Sequence, residues 1–123
     1  MRKIGEWMES KINRISIYIY GALSTDHLGE VNNILWGIEE EGIPYSIKKE
    51  THSEAVKLGF LASQHSSLGI GIGIGSDQTV AIHHSKLKEG EPLLTGQLDD
   101  KPETLRLLGG NAARLVKKSV LKL

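Results

Sequence analysis

The stretch LGIGIGIGSDQTVAIHH, residues 68–84, decides the fold. Isoleucine and glycine alternate with a period of two, the repeat of a β-strand, so Leu68 to Gly75 reads as a strand with one branched face and one bare face. Gly75-Ser76 suits a two-residue hairpin loop with glycine first. Gln78 to His84 then reads as a second strand, antiparallel to the first. The glycines do not make a phosphate loop. A dinucleotide fingerprint needs them in the turn between a strand and a helix, where backbone N–H groups reach the phosphate; here a hairpin and another strand follow. Gly69, Gly71, Gly73 and Gly75 are instead expected on one strand face, where a helix or a partner's backbone comes close.

Upstream, Ile15 to Tyr20 is a strand of β-branched and aromatic residues, ended by Gly21. Ser24, Thr25 and Asp26 offer helix N-caps. Leu28, Val31, Leu35 and Ile38, with Ile34 beside them, recur at helical spacing and predict a helix from about His27 to Glu41. Gly42 suits its C′ position and Pro44 stops it. Tyr45 to Lys48 is a second strand, and Thr51 with Glu54 forms a T-x-x-E capping box before a helix through Leu58 and Ala62. Downstream, Leu93–Leu94 is a short fifth strand. Asp99 to Pro102 opens a last helix with Leu105, Leu108, Ala112, Leu115 and Ser119 on its inner face. Gly109 and Gly110 fall mid-helix, which signals close packing or a break.

Two strand–helix–strand links imply parallel pairing with right-handed crossovers. The expected fold is α/β, a three-layer α/β/α arrangement around a five-stranded mixed sheet whose fourth strand is antiparallel. Residues 14–123 make one domain. Residues 1–13 make a leader in which Ile4, Trp7, Met8 and Ile12 mark one face of a short helix, either packed on the body or docking a partner.

With 123 residues there is room for one domain. Fifteen basic residues balance fifteen acidic ones, so no net charge draws the chain to nucleic acid or to an anionic membrane. No cysteine is present, which removes disulfides, thiolate nucleophiles and cysteine-based zinc sites together. No apolar run approaches the ~20 residues that span a bilayer. The N-terminus lacks the apolar core of a secretory signal, so a cytoplasmic location is expected.

No acid–base–nucleophile set stands out, and no catalytic or cofactor-binding residue is expected. His83 and His84 are adjacent on a strand and face opposite ways; His27, His52 and His65 are scattered. The informative cluster is Glu39, Glu40 and Glu41, in the last turn of a helix, where each exposed carboxylate opposes the dipole by about 0.3–1 kcal/mol. Helical phase sets Glu40 opposite the apolar arc, with Trp36 and Asn33 on the same outward side. That group reads as a partner-binding patch or, more plainly, as a solvated acidic helix end. The last helix turns Arg114 and Lys117 outward.

Three strings in this order, GIEEEGIPY (37–45), LGIGIGIGSDQTVAIHH (68–84) and LGGNAARLVK (108–117), resemble the small subunit of the glycerol/diol dehydratase reactivating factors. The resemblance runs from about Ile15 to Lys118 and leaves the leader out. It implies a fold similar to the medium subunit of the dehydratase and to anticodon-binding-type domains. It implies an accessory, non-enzymatic subunit that pairs with a large, actin- and chaperone-like ATPase subunit, in a heterotetramer. The pair releases damaged cobalamin from inactivated adenosylcobalamin-dependent diol or glycerol dehydratase, the small subunit trading places with the enzyme's medium subunit. The resemblance also makes the middle glutamate, Glu40, a ligand of a divalent cation, Mg2+ or Ca2+, shared with the large subunit. Asn33, Trp36, Glu40 and Arg114 are then the expected partner-binding residues, and a bacterial microcompartment becomes an admissible location. The rivals are a true dehydratase medium subunit and a stand-alone nucleotide-binding α/β enzyme. The first is disfavoured by the short chain, the second by the missing phosphate loop.

Overall fold

The glycine-rich strand, β3 (Ile70–Ile74), is buried along its whole length at the centre of the sheet. The computed structural model describes residues 15–22, 28–51 and 54–121. Around β3 the chain runs β1 (Ile17–Gly21), α1 (Leu28–Glu40), β2 (Tyr45–Lys49), α2 (Ala55–His65), β3, β4 (Thr79–His84), β5 (Leu94–Gln97) and α3 (Pro102–Leu121). The strand order is β2-β1-β3-β4-β5. β1 is parallel to both β2 and β3, while β4 is antiparallel to β3 and to β5. The expected mixed five-stranded sheet with an antiparallel fourth strand is therefore present.

Strand alternation sorts the side chains into two faces. Ile17, Ile19, Ile70, Ile72, Ile74, Val80 and Ile82 join Val31, Ile34 and Ile38 of α1 and Leu105, Ala112 and Val116 of α3 in one core. The opposite face carries Tyr20, which packs with Leu58 and Ala62 of α2. Three layers result, with α1 and α3 on one face and α2 on the other. The bare face of β3 explains how α2 sits. A Cβ on Gly71 would come within 2.6 Å of the Ala62 carbonyl carbon and collide with the Ser63 nitrogen. One on Gly73 would collide with the Ala55 oxygen and the Gly59 nitrogen. The helix backbone lies directly on the strand at these two points, with the Ala62 methyl as the one side-chain group close to Gly71.

The same device joins α1 to α3. A Cβ on Gly37 would lie 2.8 Å from the Gly110 nitrogen, and one on Gly109 would lie 2.9 Å from the Ile34 carbonyl carbon. The mid-helix glycines thus mark a crossing, and α3 continues through them unbroken. Gly42 ends α1 at φ +75°, donating to the Glu39 carbonyl at 2.9 Å, as a C′ glycine does.

Several expectations need correction. The glycine face is Gly71 and Gly73 only. Gly69 precedes the strand at φ +76°, and Gly75 follows it. The hairpin loop is not Gly75-Ser76 but residues 76–78. Gly75 donates to the Thr79 carbonyl, and Gln78 takes the left-handed conformation at φ 71° in place of a glycine. This is a three-residue hairpin, a turn followed by an αL residue. The Asp77 carboxylate accepts the Thr79 N–H at 3.0 Å and steadies it. The capping box is not formed, because α2 starts at Ala55 and Glu54 stands at the N-cap without a side-chain bond. β5 is longer than Leu93–Leu94 and lies mainly beyond it. On α3 the inner face is continued by Val116, while Leu115 is half-buried at its edge. The leader, the caps Ser24, Thr25 and Asp26, and the side chains of Leu28 and Ser119 lie outside the described residues.

Gly73→Val should lower stability by about 1–3 kcal/mol in a denaturant melt, because the branched side chain must push α2 off the sheet. Gly90→Ala, where an added Cβ meets nothing within 4 Å, should change the midpoint little and serves as reference. Equal midpoints for wild type and Gly73→Val would remove the close approach as a source of stability.

Candidate partner-binding surface

Because glycines let α1 and α3 approach backbone to backbone, the side chains flanking the crossing are thrown outward together. Trp36, one residue before Gly37, is 46% exposed. Arg106, one turn before Gly109 and Gly110, reaches across with its guanidinium carbon 5.8 Å from the Trp36 ring centre. Its Nε lies 3.8 Å from Glu40 Oε2. Leu107, 55% exposed, lies beside Arg106. The structure thus brings Trp36 and Glu40 to one face, as helical phase requires, and adds Arg106, which the sequence reading passed over. The mid-helix glycines were the available signal, since whatever sits one turn from such a crossing faces the neighbouring helix. Asn33 is on the same side of α1, half-buried, and its Nδ2 donates to the Gly29 carbonyl at 3.4 Å. An exposed cation–π contact stabilises by ≈ 0.5–1 kcal/mol and an exposed ion pair by about 0–1 kcal/mol. These are contacts that a docking partner can displace or recruit at small cost.

Arg114 belongs to a different group. Its Nε donates to Glu41 Oε2 at 3.1 Å, and Lys117 Nζ donates to Glu41 Oε1 at 2.7 Å. The Lys117 hydrogen bond, aided by the nearby Lys117 and Arg114 charges, holds the Glu41 carboxyl below the usual glutamate value. Glu39 accepts a hydrogen bond from the Tyr45 hydroxyl at 3.0 Å. Partial burial and that carboxylate push the Tyr45 phenol up to about 12. The three consecutive glutamates therefore have three different partners: Tyr45, Arg106, and the Arg114–Lys117 pair. Cations on α3 offset the dipole penalty that the sequence alone assigns to Glu40 and Glu41.

A divalent cation would find one carboxylate here. Among the described residues no three His, Asp or Glu side chains are grouped to hold a metal ion. Glu40, with its side chain 58% exposed, fits as a single oxygen ligand of a site completed from outside the chain, and Arg106 would have to swing away to admit it. The histidines are tied locally. His83 is fully buried against Phe60, with its ring nitrogens 3.1 Å from the His84 carbonyl and 2.9 Å from the Glu89 carbonyl. His65 Nδ1 is hydrogen-bonded to the Tyr20 hydroxyl at 2.5 Å, and His84 Nδ1 accepts the Lys86 N–H. His27 and His52 lie outside the described residues.

Comparison with known proteins agrees with this architecture. Residues 15–122 match the family model described as dehydratase medium subunit. The propanediol dehydratase-reactivating factor small subunit of Citrobacter freundii is 37% identical over 111 residues, 89% of this chain and 92% of that protein. A probable glycerol dehydratase-reactivating factor small subunit of the same organism is 35% identical over 88 residues, 71% of this chain and 75% of that one. Among solved structures, a glycerol dehydratase reactivase chain superposes with a TM-score of 0.80 at 35% identity, covering 83% of this chain and 91% of its own. A chain from the structure of diol dehydratase-reactivating factor complexed with ADP and Mg2+ gives 0.76 at 32% identity, covering 84% and 93%.

The Glu41 cluster makes a pH-dependent contribution of defined sign. A carboxylate whose folded pKa is lowered adds stability above its unfolded value, near 4.5, and loses it as pH falls through the folded value. Thermal melts of wild type and Glu41→Gln should differ at neutral pH and converge as the solution is acidified below 4.5. A gap that stays constant across that range would mean the ion pairs do not join α1 to α3.

Proposed function

The chain belongs to the dehydratase medium-subunit family and, within it, to the small subunits of dehydratase-reactivating factors, and from that premise we propose that it docks on a large ATPase subunit and trades places with the medium subunit of an inactivated diol or glycerol dehydratase. The observation that carries this reading is the similarity to reactivating-factor small subunits over nearly the whole of both chains. The same likeness favours it over the rival in which the chain is a dehydratase medium subunit. ATP hydrolysis belongs to the large partner in this reading, and the exchange opens the dehydratase so that damaged cobalamin leaves. The assembly in this reading is a heterotetramer in the cytoplasm.

The docking surface we assign is the outer face of α1 around Trp36, with Asn33 and Glu40, bordered by Arg106 and, at its far end, by Arg114. Trp36 supplies the large, stiff apolar contact that dominates interface energies. Glu40 supplies one oxygen ligand to a divalent cation, Mg2+ or Ca2+, whose remaining ligands come from the large subunit and water. Arg106 covers Glu40 in the free chain and turns to the partner when the cation arrives.

Glu40→Ala should weaken binding to the large subunit about tenfold in magnesium, about 1.4 kcal/mol, with thermal stability nearly unchanged. Among the described residues its carboxylate makes an exposed ion pair with Arg106 and no other. Chelating divalent ions should narrow the difference. Glu39→Gln is the control, since the amide oxygen keeps an acceptor for Tyr45. Equal affinities of wild type and Glu40→Ala in magnesium would move the cation site elsewhere. A separate check is enzymatic: highly purified chain should release no phosphate from ATP above buffer. Turnover that follows the folded protein through gel filtration would place the ATPase in this chain.

A further inference from the structure

His83 faces two hydrogen-bond acceptors, and a neutral imidazole can serve only one of them. The side chain is fully buried on β4. Its Nε2 lies 2.9 Å from the Glu89 carbonyl oxygen, and its Nδ1 lies 3.1 Å from the His84 carbonyl oxygen. A carbonyl accepts hydrogen bonds and cannot donate one. A neutral ring carries one N–H and one bare lone pair, whereas the protonated ring carries two N–H groups. Whichever nitrogen holds the proton of a neutral ring, the other sets its lone pair against a carbonyl oxygen. Water does not relieve that mismatch, because the ring is closed off from solvent.

The two carbonyls belong to the segment that links β4 to β5, and they organise it. The His84 carbonyl also accepts the Leu87 N–H at 3.1 Å, and the Glu91 N–H donates to the Lys88 carbonyl at 3.0 Å. The ring therefore ties a turn at 84–87 to a second turn at 88–91. Around it, Phe60 of α2 meets the ring edge-on, with ring centres 5.3 Å apart. β3 opposes it with Gly71, and neither β3 nor β5 holds a charged residue. On α2, His65 is bonded to Tyr20, and Lys57 stands one turn before Phe60. His84 points to the other face of β4, where its Nδ1 accepts the Lys86 N–H. Lys86, Lys88 and Glu89 are exposed residues of the linking segment. Among the described residues none of these charged groups is paired with the ring, so the main-chain carbonyls are what its proton acts on.

We propose that His83 is a proton-operated latch on residues 84–91: the charged ring donates to both carbonyls and joins the two turns, and the neutral ring lets one of them go. The latch lies at the far end of β4, and it works whether or not the α1 face docks a large subunit.

The test is heteronuclear NMR of the full chain, titrated from about pH 8 to about pH 5, the span in which histidines change charge. At the acid end both His83 ring nitrogens should show the shift of an N–H nitrogen; at the alkaline end one of them should show that of a bare nitrogen. Over the same transition the Leu87 and Glu91 amides should become several-fold better protected from hydrogen exchange. They are measured against β4 amides in the same sample, so that the intrinsic pH dependence of exchange cancels. His83→Gln can donate but cannot titrate, and should flatten the response; His84→Gln should leave it in place. If His83→Gln does not fold, the wild-type ring shifts and amide protection decide by themselves. A His83 ring whose protonation does not change across the range would overturn the proposal. So would a ring that titrates with no change in protection at Leu87 and Glu91, a response that survives His83→Gln, or one that is lost in His84→Gln.

Discussion

Everything in this domain depends on backbone approaching backbone. α2 rests on β3 through Gly59, Gly71 and Gly73, and α1 crosses α3 through Gly37, Gly109 and Gly110. A glycine inside a helix costs about 1 kcal/mol against alanine. The cost is offset where its absence of a side chain brings many atoms of two main chains within contact distance, each pair contributing only ≈ 0.1–0.2 kcal/mol but in large number. Close seating also lets the small face of one layer pair with the large face of the next. β3 presents Ile70, Ile72 and Ile74 to α1 and α3 because its other face needs no volume at all.

This explains what could be read from the chain alone. The Ile–Gly alternation has only one regular structure that fits it, and the hairpin after it sets the sheet as mixed before any contact is known. The helices followed from apolar spacing. What resisted reading was local. The loop at 76–78 depends on Gln78 taking a backbone conformation that usually falls to glycine, so a glycine at Gly75 drew attention to the wrong pair. The capping box at Thr51 and Glu54 is a short pattern with no cap bond behind it; α2 starts instead at Ala55, whose carbonyl oxygen lies against Gly73. Short edge strands carry little periodic signal, and β5 is four residues long.

The outward face shows a second limit. Helical phase alone placed Asn33, Trp36 and Glu40 on one side of α1. It could not supply their neighbours, because Arg106, Arg114 and Lys117 arrive from a helix more than sixty residues away in sequence. Three glutamates at the negative end of a helix look unfavourable in isolation. With Tyr45, Arg106 and the Arg114–Lys117 pair in place, each carboxylate has a local partner, and the three differ in what they can give up. Glu41 is clamped between two cations. Glu39 accepts one neutral hydrogen bond. Among the described residues Glu40 has a single long, exposed contact, with Arg106, and of the three it is the carboxylate most readily offered to an outside ligand.

In the exchange proposed above the chain has to bind firmly yet leave again, and the division between glycine crossing and exposed rim would serve both needs. The crossing fixes the positions of Trp36 and Arg106, so little ordering of the main chain is required at the moment of docking. The rim contacts around them are individually weak in water, near the size of thermal energy, so the free face is not held shut. Their strength rises when a partner excludes solvent, because the same charges then interact in a medium of lower effective dielectric. A surface whose attractions are small in the free state and larger when covered discriminates between the two states without any catalytic group, which is the property the proposed docking would require of the rim that the close packing of α1 on α3 holds in place.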